Sequence, residues 1–234
     1  MGFVFVFDLD QTLAGDYSVG PYSPPYDSIQ LNDFLIENIL VPLNDDDARS
    51  SGITDAIVLY TNNGDLEYIK EVENKIARSY IPGFQFDYIM WRRDSLRAYR
   101  AAGAPKIIDD VYTMLEEIQV PTAGLPNRII FFDDQIHYIM TEINRDNYIQ
   151  IVPPFSKDSS YLDETNYSTV YKIIESIKNP PTGKASRMPG NTPTPNFLVG
   201  GRRMRMSMRM SMPLQKTRKY KKKKLRTRRL RRNL

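Results

Sequence analysis

The chain has 234 residues, with 32 Lys and Arg against 28 Asp and Glu, one histidine and no cysteine. That length supports one hydrophobic core with extensions, and the lack of cysteine excludes disulfides, thiolate metal sites and a cysteine nucleophile. Charge is unevenly placed: 18 of the 32 basic residues follow residue 182, where no acid occurs, so the stretch before it holds 14 basic against 28 acidic residues.

The chain opens on "GFVFVFDLDQTL". Its apolar run predicts a buried strand over 3–8 that ends on Asp8, with Asp10 two positions on. Burying carboxylates is costly unless something pairs with them, so either both are solvated or they hold a cation. The run is too short for a membrane span or the core of a signal peptide, and no export signal is visible, so a soluble intracellular protein is expected.

Tyr17, Tyr22 and Tyr26 follow among Gly and Pro and read as turn residues or as a flap over a site. A helix is predicted over 28–40, and "NDDDARSSG" reads as a loop. "AIVLYT" predicts a strand over 56–61 ending on Thr61, before a helix over 64–78. "FDYIM" predicts a strand over 86–90; Arg92 and Arg93 beyond it either contact a substrate or lead into a helix over 94–101. Residues 107–117 carry a 3.6-residue apolar stripe through Ile107, Ile108, Val111, Met114 and Leu115. "RIIFFD" predicts a strand over 128–133, followed by a helix over 135–144 with His137 on its first turn, where facing solvent or packing is favoured over reaching the mouth of the site. A strand over 148–152 and a helix over 168–178 complete the body.

The strands are continuously apolar, as expected of parallel strands covered on both faces. The strand–helix alternation predicts an α/β fold: a doubly wound, Rossmann-like, five-stranded parallel sheet. Ligands in such sheets sit at the carboxyl ends of the strands, where Asp8, Thr61 and Asp133 converge. A globular domain is expected over 1–178, a Pro/Gly-rich linker over 179–200 and a disordered basic tail over 201–234. Such a tail suits nucleic acid, nuclear import, an anionic membrane surface or the acidic body itself.

Four ordered segments carry a family resemblance. "FVFVFDLDQTL", "IVLYTNN", the lysine of "GAPKIIDDV" and "RIIFFDDQ" resemble the four motifs of the haloacid dehalogenase superfamily. "DLDQTL", "LYTNNGDLEYIKEV", "RRDSLR" and "FFDD" are similar to its branch related to phosphatases of the RNA polymerase C-terminal domain. Two departures stand out: "PKIIDDV" replaces the usual Lys-Asp-Leu, and Gln135 stands where Ser-Pro often follows the acids.

The resemblance implies a phosphohydrolase in which Asp8 is the nucleophile, forming an aspartyl-phosphate, and Asp10 the general acid and base. It implies Thr61, Asn62 and Lys106 as phosphoryl-binding groups. Mg²⁺ would be held by Asp8, the backbone carbonyl of Asp10, and Asp133, Asp134 or both. Thr12 would pin the turn after the first strand.

The short intervals between motifs leave no room for a large cap domain, and an open site favours a phosphate on a macromolecule, protein first. A nucleic-acid end or a nucleotide is the alternative substrate. The rival class is a non-catalytic nucleic-acid-binding or packaging protein on a vestigial phosphatase fold.

Overall fold

A computed structural model describes residues 1–15, 26, 28–94, 104–156 and 166–179. The linker and tail expected from 179 onward lie outside these residues apart from Asn179, as do Tyr17, Tyr22 and nearly all of the helix expected over 94–101.

Five parallel strands form one sheet in the order β3-β2-β1-β4-β5. They are β1 (Phe3–Phe7), β2 (Thr54–Tyr60), β3 (Tyr88–Met90), β4 (Ile129–Asp133) and β5 (Tyr148–Gln150). This is a doubly wound α/β architecture, with the chain starting in the centre and winding first to one edge and then to the other. All five predicted strands form, with β3 and β5 cut short at three residues each.

Central strand β1 shows why both faces must be covered. Phe5 and Phe7 point into one core with Ile57, Leu59, Ile130 and Phe132, while Val4 and Val6 point into the other with Val58 and Phe131. Side chains alternate across a strand, so a run apolar at every position buries both faces. The Phe7 and Phe132 rings stack at 4.4 Å across the β1–β4 register.

The first core is closed by a helical stretch over residues 33–44, by α4 (Leu66–Ser79) and by α6 (Ser168–Lys178). The 33–44 stretch joins α1 (Asp33–Leu35), a π turn (Ile36–Leu40) and α2 (Val41–Asn44). The second core is closed by α5 (Ile108–Glu117). Among the described residues no helix is long and apolar enough to cross a membrane.

Two helix predictions and one loop prediction are corrected. The first helix begins at Asp33, not 28, because Asn32 caps it by accepting from the Leu35 N–H at 3.2 Å. "NDDDARSSG" is not a loop throughout: α3 (Asp46–Ser50) forms, capped by Asp45, whose side chain accepts from Asp47 N–H at 2.9 Å. Consecutive aspartates suit a helix start, where free N–H groups and the helix dipole favour negative charge.

The helix expected over 135–144 is replaced by two short 3₁₀ turns, Tyr138–Thr141 and Arg145–Asn147. Asp133 Oδ1 captures the Gln135 N–H at 2.9 Å, His137 is extended, and Asn144 starts the second turn by accepting from Asp146 N–H. Local side-chain bonds thus divert backbone donors a longer helix needs.

At the far end of the sheet from the strand tips, Asp55 accepts from Gly2 N–H at 2.8 Å and pairs with Arg128 at 2.6 Å. Gly2 is pressed against backbone here: a Cβ would lie 2.4 Å from Gly52 O and 2.7 Å from Ile53 O. Gly2→Ala should therefore destabilise the protein by about 1–3 kcal/mol, the usual cost of overpacking. Urea unfolding should show a lower midpoint at unchanged slope, and an unshifted midpoint would show that the terminus gives way freely.

Candidate functional site

The strand register brings the acids together. Asp8 directly follows β1, and its N–H donates to Phe132 O at 2.8 Å, so the tips of β1 and β4 are locked side by side. Asp133 is the last residue of β4 and fully buried; Asp8 and Asp134 are nearly so. One carboxylate oxygen from each of Asp8, Asp133 and Asp134 lies within 4.8 Å of the others.

After Asp8 the chain turns sharply. Leu9 O accepts from the N–H groups of Leu13 and Ala14, both at 3.0 Å, and Gln11 sits in the left-handed region at φ 59°. The turn is pinned by Asn32, whose Nδ2 donates to Thr12 O at 2.9 Å. The pinning role expected of Thr12 is thus corrected: its hydroxyl is buried with no hydrogen-bond partner among the described residues. The turn delivers Asp10 to the cleft, where Asn63 Nδ2 donates to both its oxygens at 3.1 and 3.2 Å. Asp10's carboxylate thus engages Asn63 and is not part of the three-acid cluster.

Lys106 enters from the loop before α5 and is only 1% exposed. Its Nζ lies 2.5 Å from Asp8 Oδ1 and 2.5 Å from Asp133 Oδ2, with the Tyr60 and Phe131 rings at 5.8 and 5.7 Å. Tyr60 also holds the adjacent backbone: its hydroxyl accepts from Ile107 N–H at 3.3 Å and donates to Asp110 on the first turn of α5.

Thr61 is fully buried just past β2, and its Oγ1 accepts from Asn63 N–H at 3.0 Å. It does not cap α4; that task falls to Asp65, which accepts from Tyr68 N–H at 3.1 Å. Asn62 lines the cleft with Asp10 and Gln135. Asp8, Thr61, Lys106 and the Asp133–Asp134 pair therefore all converge at the carboxyl edge, with Asp10 and Asn62 on the adjoining cleft wall.

One contributor was not singled out from sequence, and the favoured reading of another is corrected. Asn63, which grips Asp10, lies in a loop without periodicity, and only its place beside Asn62 marks it. His137 neither faces solvent nor sits on a helix: its Nε2 is 3.4 Å from Asp133 Oδ1, and its N–H donates to the Tyr148 hydroxyl at 3.3 Å. That hydroxyl in turn donates to Gln135 O at 2.5 Å, bracing the loop that carries Asp134.

Electrostatics follow from this crowding. Burial drives the Asp8 carboxyl well above its ordinary value, against the pull of Lys106 and with Asp133 and Asp10 adding to the rise. Burial also acts upward on Asp133, but Lys106 and His137 outweigh it and hold that carboxyl below the usual range. Burial works against charged Lys106, yet Asp133 and Asp8 keep its ammonium above its usual value. Asp134 is pushed up to about 6 by burial and by Asp133.

Three clustered carboxylates thus face one ammonium, an excess of acidic groups that a divalent cation would relieve. The donors are hard oxygens only, the set that Mg²⁺ or a similar ion takes. Asp8, Asp133 and Asp134 fit as its protein ligands. Compared with protein-family models and with curated proteins, the chain matches none.

The raised Asp134 carboxyl has a defined stability consequence in metal-free protein. The unfolded chain ionises this group near 3.8 and the folded protein only near 6, so its ionisation opposes folding above that window and has no effect below it. Asp134→Asn should then stabilise the chelator-treated protein at pH 7 by about 1–2 kcal/mol after solvent screening, and by nothing at pH 3. Denaturant midpoints across pH 3–8 check this; a gain equal at every pH would mean the carboxylate charge is not its source.

Proposed function

We propose that this protein is a divalent-cation-dependent phosphomonoesterase of the haloacid dehalogenase type. The observation that carries the proposal is the meeting of Asp8, Asp133 and Asp134 oxygens within 4.8 Å, with Lys106 bridging Asp8 and Asp133. Asp8, Asp10, Thr61, Lys106 and Asp133 are also the residues through which the four segments resemble that superfamily. The cluster stands at the carboxyl ends of the strands, where α/β sheets bind ligands.

In this reading Asp8 attacks phosphorus while the ester P–O bond breaks, forming an aspartyl-phosphate, and water later cleaves that intermediate. Asp10 gives its proton to the leaving oxygen and afterwards takes one from the attacking water. Asn63, donating to both Asp10 oxygens, holds that carboxyl toward the cleft. Lys106 and Thr61 bind the phosphoryl oxygens as charge and hydroxyl. A Mg²⁺ ion on Asp8, Asp133 and Asp134 would supply charge neutralisation between the anionic nucleophile and the anionic ester.

The cleft at this edge has a volume of about 960 Å³ and is lined by Asp10, Gln11, Asn62, Asn63 and Gln135 among others. It is open, and among the described residues no folded unit covers it. An open site admits a phosphate carried on a macromolecule, with phosphoprotein and phosphorylated nucleic-acid ends as the candidate classes.

Hydrolysis of p-nitrophenyl phosphate should require Mg²⁺ and stop on adding chelator. Asp8→Asn should lower kcat by on the order of 10⁴-fold or more, and Asp10→Asn by about 10²–10⁴-fold, with the circular dichroism of both variants native-like. Undiminished turnover by folded Asp8→Asn would remove the mechanism.

A further inference from the structure

Just beyond β3, Trp91, Arg92 and Arg93 line the same cleft as Asp10. Both arginines are exposed, and among the described residues neither guanidinium pairs with a carboxylate. Their position is nonetheless fixed by backbone. Arg92 N–H donates to Asn63 O at 3.0 Å, Thr61 N–H donates to Met90 O at 2.9 Å, and Asp94 N–H closes a turn onto Trp91 O at 3.0 Å.

The side chains lie across Gly64: a Cβ there would meet Arg92 Cδ at 3.6 Å and Arg93 Nε at 3.9 Å. Gly64 adjoins Asn63, which holds Asp10. The arginines therefore stand next to the proposed reaction centre but outside it, since Lys106 already serves the scissile phosphoryl group. The lining also carries Asp65 and Glu67; Asp65's oxygens accept from Tyr68 N–H and the Tyr26 hydroxyl, and among the described residues neither acid forms an ion pair with Arg92 or Arg93.

We infer that Arg92 and Arg93 form a second anion subsite, which takes the phosphodiester adjoining a terminal phosphate on a nucleic-acid strand. The inference rests on the phosphatase reading above. Guanidinium forks match phosphate oxygens in bidentate geometry, which lysine does not. A strand end always carries another fixed anion beside its terminal phosphate, whereas a phosphopeptide with neutral flanks offers none. Trp91, half-buried on the same wall, adds an aromatic surface of the kind on which bases stack.

The test uses the full-length chain and Arg92→Ala/Arg93→Ala, so that the basic tail is common to both. Their kcat/KM values are compared on p-nitrophenyl phosphate, on 3′- and 5′-phosphorylated oligothymidylates, and on phosphopeptides with neutral or acidic flanks. The double substitution should cost at least about tenfold more on the oligonucleotides than on the aryl phosphate, chiefly in KM. The salt slope should fall by about 1–2, and Arg92→Lys/Arg93→Lys should recover part of the loss.

Equal losses on all substrates would overturn the inference while leaving the phosphatase reading intact. A larger loss on acidic phosphopeptides would overturn it in favour of protein. If the wild type hydrolyses nothing, the phosphatase reading fails, and calorimetry with thymidine 3′,5′-bisphosphate against thymidine 3′-phosphate decides the subsite separately. A preference for the bisphosphate that vanishes in the alanine variant supports it; no preference, or one unchanged in that variant, overturns it.

Discussion

The ammonium of Lys106, shut away from water between Asp8 and Asp133, is the interaction on which the carboxyl edge depends. The β1–β4 register forces two buried carboxylates together whether or not they attract anything. Without a counter-charge, desolvation and mutual repulsion would oppose that register. With it, the Asp133 carboxyl is held below its ordinary range, while burial still raises that of Asp8. The lysine is itself fixed from behind, by aromatic rings on two strands and by the Tyr60 hydroxyl on the next backbone N–H. Still the charge does not balance, and Asp134 registers the deficit.

Most of the sheet was legible because burial on both faces leaves a plain mark: runs such as "FVFVF" and "IIFFD" admit hardly any polar residue before the tip. The polar residues that end those runs were legible for the same reason, since a carboxylate at the end of an apolar strand needs a cause. Loops after the strands were harder. The span over 135–144 has helical periodicity, yet Asp133 takes the Gln135 N–H and Asn144 starts its own turn, so side-chain chemistry overrides the pattern. His137 reaches Asp133 because that helix fails to form. Asn63 and the Tyr60–Asp110 contact join segments far apart in the chain, and no local pattern records such pairings.

The carboxyl edge also divides into parts of unlike construction. The buried cluster beside the cleft is a set of interlocked side chains in which each group shifts the titration of another. The cleft rim at residues 91–94 is attached through main-chain bonds: Arg92 N–H to Asn63 O, Thr61 N–H to Met90 O, Asp94 N–H to Trp91 O. Backbone attachments are indifferent to which side chain each residue carries. Side chains at positions 92 and 93 can therefore be exchanged without breaking the bonds that hold this rim in place.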